Sequence, residues 1–303
     1  MSTIIVKVPA TSANLGPGFD ALGLALDLWN EAEFTPSQGS SEGWTVEVSG
    51  EGAGLLPVDA TNLVAEAARR LFERAGRAAP AGLRIRCTNR IPLGSGLGSS
   101  AAAVLAGLVG ANALLGEPLD KLALLRLAAE IEGHPDNAAA ALLGGLTVVI
   151  SDAGDLVARK IELPPLTAVV VVPEFSLSTH AARAALPGAV PLGDAAFNLG
   201  RTALVVEALR TGDLELLERA MHDRLHQPYR LKLVPGAEAA LAAARGTGAA
   251  AALSGAGPGV VAFSKGPLEL VSQAMRAAFH AAGLPSRAFI LPVTSLGAQV
   301  FIR

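Results

Sequence analysis

Two hydrophobic periods take turns along the chain. Near its start, "IIVKV" and "GWTVEVSG" alternate apolar and polar positions and carry β-branched residues, which predicts strands. In "TNLVAEAARRLFERAG", Leu63, Val64, Ala67, Ala68, Leu71 and Phe72 follow the 3.6-residue helical period, and Gly76 supplies a stop. "GLRIRCTNRI" predicts the next strand, ended by Pro92. A helix over 99–115 follows, then another in "PLDKLALLRLAAEIEG", with Asp120 near its start and Gly133 past its end. "GGLTVVI" and "DLVARKIEL" predict a hairpin around "SDAGD", and "PSQGSSEG" (36–43) a surface loop.

Pro164-Pro165 then interrupts the pattern, and a soft domain boundary falls near 160. Beyond it, "LTAVVVVP" predicts a buried strand, and helices are expected at about 178–186, 194–211 and 213–222. The chain closes with helix 236–245, strand 249–253, a glycine loop, strand 259–264, helix 267–282 and strand 287–292. This alternation predicts an α+β half whose sheet is covered on one side.

Composition removes several classes. Of 303 residues, 51% are hydrophobic and 17% charged, which suits sizeable cores and excludes disorder. A net charge of −3 gives no basic face for nucleic acid. The apolar stretches near 101–115 and 138–150 are broken by Gly and Asn and fall short of the roughly 20 residues a membrane helix needs. The start of the chain is too short an apolar run for a signal peptide. No membrane partner and a cytoplasmic location are therefore expected. Cys87, the lone cysteine, forms no intrachain disulfide and is expected to act as packing.

Candidate chemistry begins at "IPLGSGLGSSAAAV" (91–104), a strand end, a glycine turn and a helix start. The segment lacks the lysine of a P-loop and the last glycine of a dinucleotide fingerprint; "SGAGPGVV" lacks that glycine too. Gly94, Gly96 and Gly98 still permit a turn whose amides point inward, and the helix beyond begins with unpaired N–H groups. Such an end binds phosphate without a lysine. Ser99 or Ser100 can cap that helix, or ligate Mg²⁺. A plain strand–helix turn with a serine cap leaves the same pattern. Three more polar, glycine-bearing loops, "VPATSANLGPGFDALGLAL", "EGHPDNAAAALLGG" and "LSGAGPGVVAF", are costly in an apolar chain unless they build a site. His222 and His226 have ligand spacing, but no third ligand joins them, so zinc is not expected.

Together these segments resemble the GHMP small-molecule kinases over nearly the whole chain, and within them the branch acting on L-homoserine. "PLGSGLGSSAAA" carries the resemblance most specifically; "ATSANLGPGFDALGLAL" and "EGHPDNAAAALLGG" select the branch. The resemblance implies an α+β fold of two domains, a nucleotide-binding half (1–160) and a ferredoxin-like half (161–303), assembled as a homodimer. It implies ATP as phosphoryl donor, L-homoserine as small-molecule substrate and a step in threonine biosynthesis. Pro92, Leu93, Gly94, Ser95, Gly96, Leu97, Gly98, Ser99, Ser100, Ala101 and Ala102 would wrap the phosphates. Mg²⁺ would sit on Ser100 with Glu132, preferred, or Glu130. Arg90 stands where relatives often carry a lysine near the phosphates, which makes it, with Asn14 and Asn137, a candidate catalytic residue, a movable cation for the transferred group. Asn62 matches an adenine contact and is also a candidate helix cap, as is Thr61.

On the substrate side, the resemblance implies that Asn14 and Asp20 face the amino and hydroxyl end, that His134 and Asn137 line the pocket, and that Arg183 and Arg230, aided by Thr179, clamp the carboxylate. A bidentate guanidinium–carboxylate pair suits that task. Relatives in the wider family use an aspartate base where this chain has Asn137, so no dedicated carboxylate base is expected. Phosphoryl transfer by positioning and charge neutralisation remains sufficient. Another small alcohol, such as mevalonate, shikimate or a sugar, and a catalytically silent nucleotide-binding regulator are the competing readings.

Overall fold

The computed structural model describes residues 3–37, 43–152 and 155–303. Most of the loop expected at 36–43, and the hairpin tip at 153–154, lie outside the described residues. The first half runs β1 (Ile4–Ala13), β2 (Leu22–Ser37), β3 (Trp44–Gly50), α1 (Leu63–Arg74), β4 (Gly82–Asn89), α2 (Ser99–Leu114), α3 (Lys121–Glu132), α4 (Asp136–Leu143), β5 (Leu146–Asp152) and β6 (Asp155–Ile161). The second runs β7 (Thr167–Pro173), α5 (Thr179–Ala184), α6 (Leu192–Thr211), α7 (Leu214–Ala220), α8 (Gln227–Arg230), α9 (Ala237–Gly246), β8 (Ala250–Leu253), β9 (Val260–Phe263), α10 (Leu268–Ala281), β10 (Ser286–Pro292) and β11 (Gln299–Ile302).

A seven-stranded sheet is organised around β2. That strand pairs along β1 on one side; on the other, its start pairs with β5 and its end with β4. β3 lies parallel to β4, and every other pairing is antiparallel. The sequence pattern marked "PATSA" and "ALGLAL" as loop, yet the first ends β1 and the second opens β2. Long-range pairing overrides their weak local preference. β11 returns to pair with β1, so residues 161–303 do not all join one sheet. α2 is apolar all round, as a central helix must be. Gly107 and Gly110 let it approach its neighbours: a Cβ on Gly107 would lie 2.2 Å from the Val64 carbonyl of α1, and one on Gly110 2.3 Å from the Phe34 ring.

The second sheet has the order β10-β7-β9-β8 and is antiparallel throughout. It is buried on both faces, contrary to the one-sided cover the sequence suggested. Val169 and Val171 of β7 pack with α9 and α10, while Ala168, Val170 and Val172 join the large core of the first half. A strand covered twice reads as an unbroken apolar run, which is what "AVVVV" is. Among the described residues, no helix is long and apolar enough to cross a membrane.

Candidate active site

Three glycine-bearing segments meet where the halves join. Ser254 Oγ donates to the carbonyl of Gly96 at 2.7 Å and contacts Ser12 Oγ at 2.9 Å. Gly255 N donates to Ala13 O, Gly259 N to Ser95 O, and Thr11 N to Leu97 O. The contact requires bare glycine: a Cβ on Gly96 would lie 2.3 Å from the Ser254 carbonyl, and one on Gly98 2.1 Å from Thr11 Oγ1. Both also have positive φ. Gly94 shares the positive φ but faces open space.

Of the two roles open to Ser99 and Ser100, the cap is not taken. Gly98, at φ +70°, is the N-cap of α2 with no side-chain cap bond. The left-handed turn carries the chain into the helix one residue early and leaves Ser99 and Ser100 inside its first turn. The first amide of α2 bonded within the helix is that of Ala102, to Gly98 O, so the amides before it remain available at the positive end of the helix dipole. Ser100 Oγ instead donates to Glu132 Oε1 at 2.7 Å. Burial pushes the Glu132 carboxyl above its ordinary range, partly offset by that bond. A bound cation would reverse the shift. One carboxylate and one hydroxyl are hard oxygen donors, the kind Mg²⁺ takes when phosphates complete its shell; the pair therefore fits the ion. Glu130 is exposed and does not line the cleft.

This corner opens into a cleft of about 130 Å³. Of the sequence-derived candidates, Asn14, Asp20, Gly94, Ser95, Gly96, Gly98, Ser99, Ser100, Ala101, Glu132, His134, Asn137, Thr179, Arg183 and Arg230 line it. Leu93 and Asn62 line an adjoining, more apolar cavity of about 340 Å³, which shares Gly94, Ser99 and Ser100 with the first. Asn62 caps α1 through Val64 N and donates to Pro57 O, while Thr61 is engaged by Asp59 instead. Pro92, Leu97 and Ala102 are buried supports that line neither cavity. Arg90 also lines neither; its side chain is exposed, and only its backbone is held, by Asn30.

"HPDN" is not an irregular loop: Asp136 and Asn137 begin α4, after Pro135 as N-cap. The helix turns Asp136 inward, 2% exposed, where it accepts from Asn137 N at 2.8 Å and contacts His134 Nδ1 at 2.9 Å. That hydrogen bond holds the His134 imidazole above its usual pKa. Thr11 Oγ1 donates to Asn137 Oδ1 at 2.8 Å, so the Asn137 carbonyl is occupied, while its amide nitrogen makes only a long 3.5 Å bond to Asp136 Oδ1 and keeps a second hydrogen to donate. Asn14 donates to Gly255 O and accepts from Asp20 N, tying its own strained turn (φ +68°) to the third glycine segment. Sequence reasoning missed Thr11, Asp136, Leu177 and Gly255–Gly257 as site components. All but Leu177 fall within the quoted motifs, but nothing local says which atoms face the cleft.

The charged lining is asymmetric. Arg183 holds Asp20 through two 2.9 Å bonds. Arg230, 2% exposed, donates to Ala182 O and reaches His226 Nδ1 at 3.4 Å, and has no carboxylate within ion-pair distance among the described residues. A buried guanidinium without an ion pair is costly unless an anion joins it. His226 is wholly buried and bonded to Gly16 O at 2.7 Å; it and His222 belong to no metal cluster among the described residues.

Known proteins share the sequence pattern and the fold of this chain. Residues 62–145 match the GHMP kinases N terminal domain and residues 205–281 the GHMP kinases C terminal family. The homoserine kinase of Moorella thermoacetica is 48% identical over 92% of this chain and 94% of its own. That of Synechococcus sp. is 46% identical over 98% and 95%. The crystal structure of homoserine kinase from Cytophaga hutchinsonii superposes with a TM-score of 0.88 at 34% identity, covering 99% of this chain and 98% of that one. The chain belongs to the GHMP kinase family, on its homoserine kinase branch.

Proposed function

We propose that this enzyme transfers the γ-phosphoryl group of ATP to the side-chain hydroxyl of L-homoserine. The observation that carries the substrate is the pairing, in one cleft, of an ion-pair-free buried Arg230 with the Arg183–Asp20 pair, beside an anion-binding glycine turn. A zwitterion satisfies that set: its carboxylate takes the guanidinium forks, and its ammonium takes the Asp20 carboxylate thus released. A neutral alcohol would leave both charges unmatched.

The amides of the Gly94–Ala101 turn would hold the triphosphate, and the apolar cavity by Leu93 and Asn62 the adenine. Ser100 and Glu132 would hold Mg²⁺, which when bound neutralises phosphate charge. Asn137, fixed by Thr11, orients the substrate hydroxyl with Asn14. The oxygen forms its bond to phosphorus in line as the bond to ADP breaks. Asn137 accepts no proton, and Asp136 is already committed to His134 and an amide. The hydroxyl proton therefore leaves late, to a phosphate oxygen or water, as a loose transition state permits. Arg90, outside the cleft, has no part in this scheme. A cytoplasmic homodimer, implied by the resemblance, completes the proposal, and the mass in solution tests the assembly.

ADP release measured with homoserine, mevalonate, shikimate and galactose tests the substrate. Homoserine alone should support turnover; preference for any of the others would overturn the assignment.

A further inference from the structure

Phe19 does not line the cleft, and no motif assigns it a role. Its ring nevertheless gathers the substrate-side cations. The ring centroid lies 5.6 Å from the Arg183 guanidinium carbon on α5 and 5.1 Å from that of Arg230 on α8. The imidazole of His226 stacks on it at 5.3 Å, with 30° between the planes. His226 Nε2 faces the Gly16 carbonyl, which only accepts, so Nε2 carries the hydrogen. Burial pushes the ring's pKa down, which keeps it neutral and leaves Nδ1 as an acceptor toward Arg230. The stack thus holds two positive charges, not three.

Two guanidiniums facing one cleft repel each other, and a carboxylate placed between them would fill the forks that the substrate needs. Asp20 already does so for Arg183. An aromatic face attracts both cations through its negative quadrupole and leaves their N–H donors free.

We propose that Phe19 is a positioning residue for substrate binding: its ring holds the Arg183 and Arg230 guanidiniums together so that both reach one carboxylate. Phe19 immediately precedes Asp20, so one short turn between β1 and β2 would set the anion clamp and the acid beside it. This inference rests on the reading of the cleft as the L-homoserine site.

The test uses the full-length enzyme with two replacements at this position, Phe19→Leu and pentafluorophenylalanine. The second keeps the ring's shape and inverts the charge of its face, so it preserves packing if leucine does not. Both should raise the homoserine KM about tenfold, while kcat and the ATP KM stay within about twofold. A pentafluoro variant with an unchanged homoserine KM would overturn the proposal. So would equal losses in homoserine KM, ATP KM and kcat, because a ring that merely supports the fold moves all three. Wild-type enzyme that fails to phosphorylate homoserine but turns over another alcohol refutes the substrate reading instead, and is seen before any variant is made.

Discussion

The Gly94–Ala101 turn offers backbone amides and no cation, whereas the opposite lining of the same cleft is built from Arg183, Arg230, Asp20 and His134 side chains. The first is contiguous in sequence and fixed by what glycine permits: positive φ at Gly94, Gly96 and Gly98, with no room for a Cβ at the last two. The second is drawn from the β1–β2 turn, the α3–α4 junction, α5 and α8, and is fixed by pairing. A backbone site tolerates almost any side chain on its rim but no added methyl at its closest approaches. A side-chain site tolerates backbone adjustment but not the loss of one charge. The two should fail differently when perturbed.

The largest effect is expected at Gly98. Gly98→Ala forces a Cβ into Thr11 Oγ1 and strains a left-handed residue, displacing Asn137 as well. A misplacement on the order of 1 Å costs about a hundredfold, so kcat/KM in an ADP-release assay should fall by at least about that factor. Gly94→Ala meets only the strain, about 1–2 kcal/mol, and should lose roughly tenfold. Equal losses at both would mean that the close approach to Thr11 is unimportant. Arg230→Met should come next. Loss of one partner of a buried charge pair costs about 2–5 kcal/mol, so the homoserine KM should rise at least about thirtyfold with the ATP KM unchanged. A parallel rise in the ATP KM would erase the distinction between the two linings.

Asn137→Ala removes an orienting amide and should lower kcat by about tenfold with little change in either KM. Thr11→Val keeps the amide but frees it, losing one hydrogen bond of about 1 kcal/mol, and should reproduce about half of that loss on a logarithmic scale. Unchanged turnover in Asn137→Ala would remove Asn137 from the chemistry. The smallest effect concerns the stack behind the arginines. Burial lowers the folded-state pKa of His226 below 6.5, so its contribution to stability is present above that value and is lost as pH falls below it. Thermal melting of wild type should drop between about pH 7 and pH 5.5, with His226→Gln dropping about 2 °C less. Parallel melting curves would mean that His226 is charged in the fold.

The same division governs what could be read from sequence. The glycine turn was visible at once, because the constraint and the residues that meet it are adjacent. The helices α1, α3 and α10 were visible for the same reason, since their periodicity repeats within a few turns, and α2 showed as a long apolar run closed by Gly116. β11 was not: nothing in "QVFI" says that it returns to β1 from nearly three hundred residues away. The local pattern left open whether a serine caps α2 or turns to a metal; the cap is the left-handed Gly98, packed against Thr11 from a distant strand, a contact absent from that pattern. Arg90 was expected near the phosphates from its place before Ile91, but Asn30 holds its backbone and the side chain points to solvent.

By itself, then, the order of residues determined the glycine turn, the period of each amphipathic helix and the apolar run of β7, because each is written within a single stretch of chain; that β7 is covered on both faces came only from the fold. Only the tertiary structure decided that Glu132 rather than Glu130 meets Ser100, that Arg183 is paired while Arg230 is not, and that Phe19 stands between them. Those outcomes depend on distances between segments up to 211 positions apart, Phe19 to Arg230. Such distances are set when two sheets and their helices bury a common core, and no local preference encodes them.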